Sequence, residues 1–164
     1  TGEVYRRQAI LRAGADSEMR VIDVASGTGA VARALMTILA GPDQLVCVEP
    51  SAGMIAESQK TVSAVHHQAS ADDMPVESET FDLLTMGFAL RHVDNLDAAF
   101  QEFHRVLKPG GRALIMDVTR PGTAMGQFWF RLYFKHILPF LSLKRVKICI
   151  WKGIHHYAFL SRAH

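Results

Sequence analysis

Apolar and polar positions alternate along most of the chain with two different periods, and the switches between them predict an alternating order of helices and strands. Residues 3–13 are predicted to form a helix. Short apolar runs predict strands at 20–25, 44–49, 64–69, 81–88 and 111–118. Stretches of helical spacing between them predict helices at 29–40, 51–62, 94–107 and 122–138. Strands separated by helices in this manner make a mostly parallel α/β sheet covered on both faces. Several boundaries carry their own chemistry. Gly41-Pro42 is expected to stop the second helix and Ser51 to cap the third. Asp94 is expected to start the fourth, in which Leu96, Ala99, Phe100, Phe103, Val106 and Leu107 recur at helical spacing. Lys108-Pro-Gly-Gly111 is expected to end that helix and feed the next strand.

Candidate chemistry begins where the first apolar strand, from Val21, breaks into Ala25-Ser-Gly-Thr-Gly29. Gly27 and Gly29 lack a Cβ, so the backbone can turn tightly against a ligand, and the next helix presents unpaired N–H groups. About twenty residues on, a second apolar strand ends in Glu49, the position from which an α/β sheet grips a ribose. A nucleoside-containing cofactor follows. Gly27-x-Gly29-x-x-Ala32 satisfies the bare dinucleotide pattern. Asp23, inside the strand, argues the other way: a pyrophosphate gains nothing from added negative charge, whereas the sulfonium and ammonium of S-adenosylmethionine do. The competing reading is that Asp23 only hydrogen-bonds the loop backbone. Glu49 is expected to be dispensable for the fold.

Composition narrows the classes. With 164 residues, 49% of them hydrophobic, the chain is expected to form one domain. A net charge of +2 gives no reason to invoke nucleic acid. Cys47 and Cys149 suggest neither a disulfide framework nor a CxxC pair, and no signal core or membrane span is evident, so a cytoplasmic protein is the expectation. The pairs His66-His67 and His155-His156 diverge on a strand, and no metal is expected. Segment 127–151 mixes large apolar residues with Arg131, Lys135, Lys144, Arg145 and Lys147. Three uses suit it: a lid over a greasy substrate, contact with a membrane surface, or packing on the body and on a second copy in a homodimer.

Four blocks, DVASGTG at 23–29, VEPSAGM at 48–54, ADDMPVESETFDLLTMGFALRHV at 71–93 and RVLKPGGRALIMDVTRP at 105–121, resemble class I S-adenosylmethionine-dependent methyltransferases. FALRHV followed by RVLKPGGR is similar to the ubiquinone/menaquinone biosynthesis C-methyltransferase family, whose usual string is close to FGLRNV. Tyr133-Phe-Lys-His-Ile-Leu-Pro139 and Tyr157-Ala-Phe-Leu160 extend the likeness, which covers roughly residues 17–164. The resemblance implies a Rossmann-like, doubly wound fold. It implies that Thr28 and the backbone of Gly27 and Gly29 hold the methionine end of the cofactor and that Glu49 holds the ribose; Asp23, Ala25 and Ser26 are expected to join the cofactor-binding residues. Ser70 and Ala71 fall where the family reads Asp-Ala or Asn-Ala against the adenine, with Asp72 near enough to replace the missing carboxylate. Gly87 falls where the family commonly has Ser. Met54 and Met74 either wall the adenine or fill the core. The family fold ordinarily ends in two further strands, and this chain is expected to stop before them, as a piece of a longer protein; the absence of a Met before Thr1 points the same way.

Ring methylation needs an electron-rich acceptor, made by partial loss of a hydroxyl proton. Arg91 and His92, just past the fourth strand, are the candidates: the arginine to stabilise a phenolate, the histidine as a residue type that exchanges protons near neutrality. The family usually has Asn at position 92. Tyr133 and Tyr157 are expected on the substrate side, orienting a quinol through their hydroxyls. The expected organisation is a cofactor-binding core at 1–121 and a substrate-side or lid segment at 122–164. Methylation of a small apolar aromatic substrate leads. A class I methyltransferase for another small molecule, a nicotinamide-dependent oxidoreductase and a catalytically silent adenosyl-binding module stay open.

Overall fold

The computed structural model describes residues 2–117 and, for the backbone alone, 158–161. The expected helix at 122–138, segment 127–151, Tyr133 and Tyr157 lie outside the described residues. The described elements are α1 (Gly2–Arg12), β1 (Val21–Val24), α2 (Ala30–Met36), β2 (Leu45–Val48), α3 (Ala52–Ser58), β3 (Val65–His67), β4 (Phe81–Gly87), α4 (Leu96–Val106), β5 (Leu107–Met116) and β6 (Ala158–Ser161). They form one sheet in the order β3-β2-β1-β4-β5-β6. β1 to β5 run parallel, and β6 joins β5 antiparallel, with Ala113 opposite Leu160. A closing antiparallel strand is therefore present, which corrects the expectation that the chain stops before one. It covers the edge that β5 would otherwise expose.

Alternation along the strands sends neighbouring residues to opposite faces and builds two cores. Val21, Leu45, Leu83 and Leu114 pack with Ile10 of α1 and Leu35 of α2. Ile22, Val46, Leu84 and Ala113 pack with Phe103 and Val106 of α4. Each such side chain, once fully buried, contributes about 1.5–3 kcal/mol. Within α4, Phe100 and Phe103 meet edge to face at 5.6 Å, while Leu96 remains exposed.

The helix boundaries follow local hydrogen bonds more than the sequence signals. Ser51 caps α3 as expected, its hydroxyl accepting from the Met54 N–H at 3.4 Å. α4 is capped by Asn95 rather than Asp94, its side chain accepting from the Ala98 N–H at 3.1 Å. α2 ends at Met36, well before Gly41-Pro42, and the chain leaves it so that the Ala40 N–H reaches the Ser17 carbonyl at 3.1 Å. Lys108 to Gly111 is not a loop between helix and strand. β5 begins directly at Leu107, opposite Phe81, and its register resumes at Arg112 opposite Leu83, so these residues bulge from the strand.

Gly87, at the end of β4, is explained by packing. A Cβ there would lie 2.6 Å from Cγ2 of buried Val31 in α2, a stiff branched side chain that has little room to yield. Gly87→Ala is expected to lower stability by about 1–3 kcal/mol through overpacking. Combining it with Val31→Ala should return part of that loss in a denaturation double-mutant cycle; strictly additive losses would show that the two residues are not in conflict.

Candidate functional site

β1 and β4 are neighbours although β2 and β3 lie between them in sequence, so the chain crosses over at this point and opens a crevice at the carboxyl ends of the strands. The loop from Ala25 to Gly29 lines it. Ala25, Gly27 and Gly29 all have positive φ, at 52°, 56° and 80°, so the loop takes a left-handed backbone at every second residue. The Ser26 N–H donates to the Val48 carbonyl at 3.1 Å, and the Gly29 N–H donates to the Ser26 carbonyl at 3.0 Å. From outside, Arg33 donates to the Thr28 carbonyl at 2.9 Å and to Thr61 Oγ1 at 3.1 Å. The two glycines serve different ends. A Cβ on Gly29 would strike Ser58 Oγ at 2.5 Å and Val62 Cγ2 at 2.8 Å, so Gly29 lets the loop pack on α3 and the turn after it. A Cβ on Gly27 would meet only Met54 Sδ, at 3.9 Å, and would project into an open cradle.

Glu49, buried just after β2, joins that loop to the next helix. Its Oε2 accepts from the Gly27 N–H at 2.9 Å and its Oε1 from the Ser51 N–H at 3.0 Å. A carboxylate has about four acceptor sites, so each oxygen keeps one to receive a hydroxyl. Glu49 is therefore structural as well as a candidate ligand, which corrects the expectation that the fold is indifferent to it.

Asp23 lies wholly buried in β1. The register places it opposite Thr85 of β4, whose hydroxyl donates to Oδ1 at 2.6 Å. Its Oδ2 has no hydrogen-bond partner, while the buried Ser26 hydroxyl has the Cys47 thiol as a polar neighbour. Burial pushes the Asp23 carboxyl up to about 7, with Glu49 adding to the rise, against the Thr85 hydroxyl and the Ala32 amide, which favour the charged form. Opposite Asp23 on β2, the Cys47 thiol is pushed up by burial and by the Asp23 charge. An orphaned carboxylate oxygen under a glycine loop fits a cationic, hydrogen-bond-donating ligand group better than a phosphate.

On the far side of Glu49, the Ser70 hydroxyl donates to Asp72 Oδ1, and Ala71 is half-buried between them. The two methionines separate. Met74 is buried among core residues, whereas Met54 is 46% exposed and holds its sulfur over Gly27. Beyond β4, Phe88 takes a left-handed φ of 61° and its N–H donates to the Met116 carbonyl at 2.6 Å. This turn leads into a single 3-10 turn, Leu90–His92, that holds Arg91 and His92. Arg91 pairs with Asp117 at 3.1 Å, and His92 is exposed. Thr85, Arg33 and Asp117 were not singled out from sequence. Only Thr85, a polar residue within an apolar strand, carried a signal there. Among the described residues no cluster of His, Cys, Asp or Glu is arranged to hold a metal ion.

A sequence profile described as the ubiE/COQ5 methyltransferase family matches residues 2–162. The chain is 31% identical over 150 residues to a demethylmenaquinone methyltransferase of Symbiobacterium thermophilum, covering 87% of this chain. It is 33% identical over 159 residues to a ubiquinone/menaquinone biosynthesis C-methyltransferase UbiE of Rubrivivax gelatinosus, covering 96%. It spans 60% of the length of each of these two relatives. In fold it is similar to a SAM-dependent methyltransferase of known structure from Aquifex aeolicus, with a TM-score of 0.66 at 17% identity over 73% of this chain and 66% of that one.

The buried Asp23 carboxyl has a consequence for stability. Its folded pKa of about 7 lies well above that of a free aspartate, so the native state binds the proton more tightly. The contribution is fully favourable at low pH and is lost as pH rises through about 7. Urea denaturation of wild type and Asp23→Asn at pH 5 and pH 8 should show the wild type losing stability relative to the variant between the two. Equal changes in both proteins would place the titration elsewhere.

Proposed function

The chain belongs to the ubiE/COQ5 methyltransferase family, and from that membership we propose that it serves an S-adenosylmethionine-dependent methyltransferase that methylates a ring carbon of a quinol or phenol in quinone biosynthesis. The observation that carries the reading is the arrangement of Glu49: a buried carboxylate fastened to the Gly27 amide, with one acceptor site on each oxygen left for the two hydroxyls of a ribose. Asp23 and Glu49 put two buried carboxylates beside the glycine loop, which favours a sulfonium and an ammonium over the pyrophosphate of a nicotinamide cofactor.

The residues present fit such a cofactor. The amino-acid end is assigned to Asp23 Oδ2, Ser26 Oγ and the backbone of Ala25, Gly27, Thr28 and Gly29, the ribose to Glu49, and the adenine to Met54, Ser70, Ala71 and Asp72. Gly87 leaves the end of β4 without a side chain beside them. S-adenosylmethionine, when bound, supplies an activated methyl group on sulfur. The protein's own task is then to align the acceptor and exclude water. Arg91, which pairs with Asp117, is assigned to stabilise negative charge on an acceptor oxygen. His92, in the same turn, is assigned to accept the hydroxyl proton. Tyr133 and Tyr157 are assigned to the acceptor side on sequence grounds. The apolar and basic stretch 127–151 suits an acceptor with a polyprenyl tail, met at a membrane face or beside a second copy. Among the described residues no helix is long and apolar enough to cross a membrane.

Calorimetric titration with S-adenosylhomocysteine and NADH, followed by transfer of labelled methyl from S-adenosylmethionine to a demethylated quinol, tests the reading. Binding of the first ligand and a methylated ring product are expected. Preference for NADH, or cofactor binding with no transfer to any quinol, would overturn it. Gly27→Ala would fill the cradle from a left-handed backbone position. It should weaken S-adenosylhomocysteine binding at least about tenfold while costing about 1–2 kcal/mol of stability. Unchanged affinity would place the cofactor elsewhere.

A further inference from the structure

Resting on that reading, we infer that Glu102 and Arg105 of α4 are positioning residues for the adenine side of the site and act through the main chain of Met74. Between the end of β3 at His67 and the start of β4 at Phe81 the chain forms no helix or strand. Its own backbone hydrogen bonds are sparse: Asp73 N–H to the Ser70 carbonyl at 3.4 Å and Val76 N–H to the Met74 carbonyl at 2.8 Å. Such a segment has no intrinsic reason to hold one shape.

α4 supplies the shape. Glu102 Oε2 accepts from the Met74 N–H at 3.2 Å, and Arg105 Nη2 donates to the Met74 carbonyl at 2.9 Å, so the peptide groups on both sides of the Met74 Cα are gripped by one side-chain pair. The pair is itself joined twice, Nε to Oε1 and Nη2 to Oε2, each at 2.7 Å. The remaining guanidinium nitrogen donates to the Val76 carbonyl at 2.7 Å and to Ser78 Oγ at 3.3 Å. A planar fork with five donors satisfies this set, and a lysine cannot. Met74 in turn buries its side chain against β1 and β4 with Ala69, Ala71 and Val76 around the same core. The peptide fixed in this way is only two residues from Asp72 and four from Ser70. The i, i+3 spacing of Glu102 and Arg105 is that of an ordinary surface helix pair. Its acceptors on the loop give it the larger role.

The test compares full-length wild type with Arg105→Met, Arg105→Lys and Glu102→Gln, titrating each with S-adenosylhomocysteine and with its deaminated analogue, which carries hypoxanthine in place of adenine. Wild type should prefer adenine. Arg105→Met should lose about tenfold in affinity for S-adenosylhomocysteine and most of the preference, with Glu102→Gln and Arg105→Lys between. A merely structural pair would lower the melting temperature yet leave the ratio of the two affinities unchanged in the folded protein, and that result overturns the inference. If Arg105→Met does not fold, Arg105→Lys decides by the same ratio. A wild type that binds neither ligand removes the proposed function, and this inference with it, whereas wild-type selectivity in the variants removes only the positioning role.

Discussion

One buried carboxylate joins the loops at the carboxyl ends of β1 and β2. Glu49 binds the Gly27 amide with one oxygen and the Ser51 amide with the other, so the loop after β1 and the start of α3 take their positions from the same group. A charge-assisted hydrogen bond of this kind contributes about 1.5–3 kcal/mol. The loop that it holds carries three residues at positive φ, one of them an alanine, which would not keep that shape unaided. Packing supplies the rest. Ser58 and Val62 lean against Gly29, and Arg33 fixes the Thr28 carbonyl from outside.

The arrangement is costly to the empty fold. Asp23 has an unpartnered oxygen in the protein interior, and the nearby Glu49 charge further disfavours its ionised form. Groups left so are commonly compensated by a bound partner, and their unfavourable free energy becomes part of the affinity for it. The rest of the sheet offsets the strain with two conventional apolar cores, one on each face. Within β1, Val21 and Ile22 pack into the two cores, whereas Asp23 keeps a buried oxygen without a partner.

How much of this the sequence discloses depends on whether a feature is local. The strands β1, β2 and β4 are plain apolar runs and lie within the ranges expected for them, and so do the glycine loop and the carboxylate after β2. Ser51 as a cap is equally local. Asp94 and Asn95 are adjacent and chemically alike as caps, so only the bond from Ala98 to Asn95 separates them. The early end of α2 has one local mark, Thr37, whose hydroxyl donates to the Ala34 carbonyl at 2.8 Å, and the chain beyond it is tied to Ser17, far back in the sequence. β6 is four residues long and gains its identity from pairing with β5. The same holds at the site. Sequence marks Asp23 and Glu49 as acids near a loop, but that Asp23 faces Thr85 follows from strand register, and that Glu49 faces Gly27 follows from the parallel pairing of β1 with β2.

The central claim is that Glu49 uses its two remaining acceptor sites on a ribose. Its most direct measurement is the affinity of wild type and Glu49→Gln for S-adenosylhomocysteine and for the 2′,3′-dideoxyribose analogue of the same molecule. The account predicts that wild type binds the analogue about ten- to a hundredfold more weakly, and that Glu49→Gln, which loses the charge and replaces one acceptor with a donor, largely loses that discrimination. Equal affinity of wild type for the two molecules would contradict it.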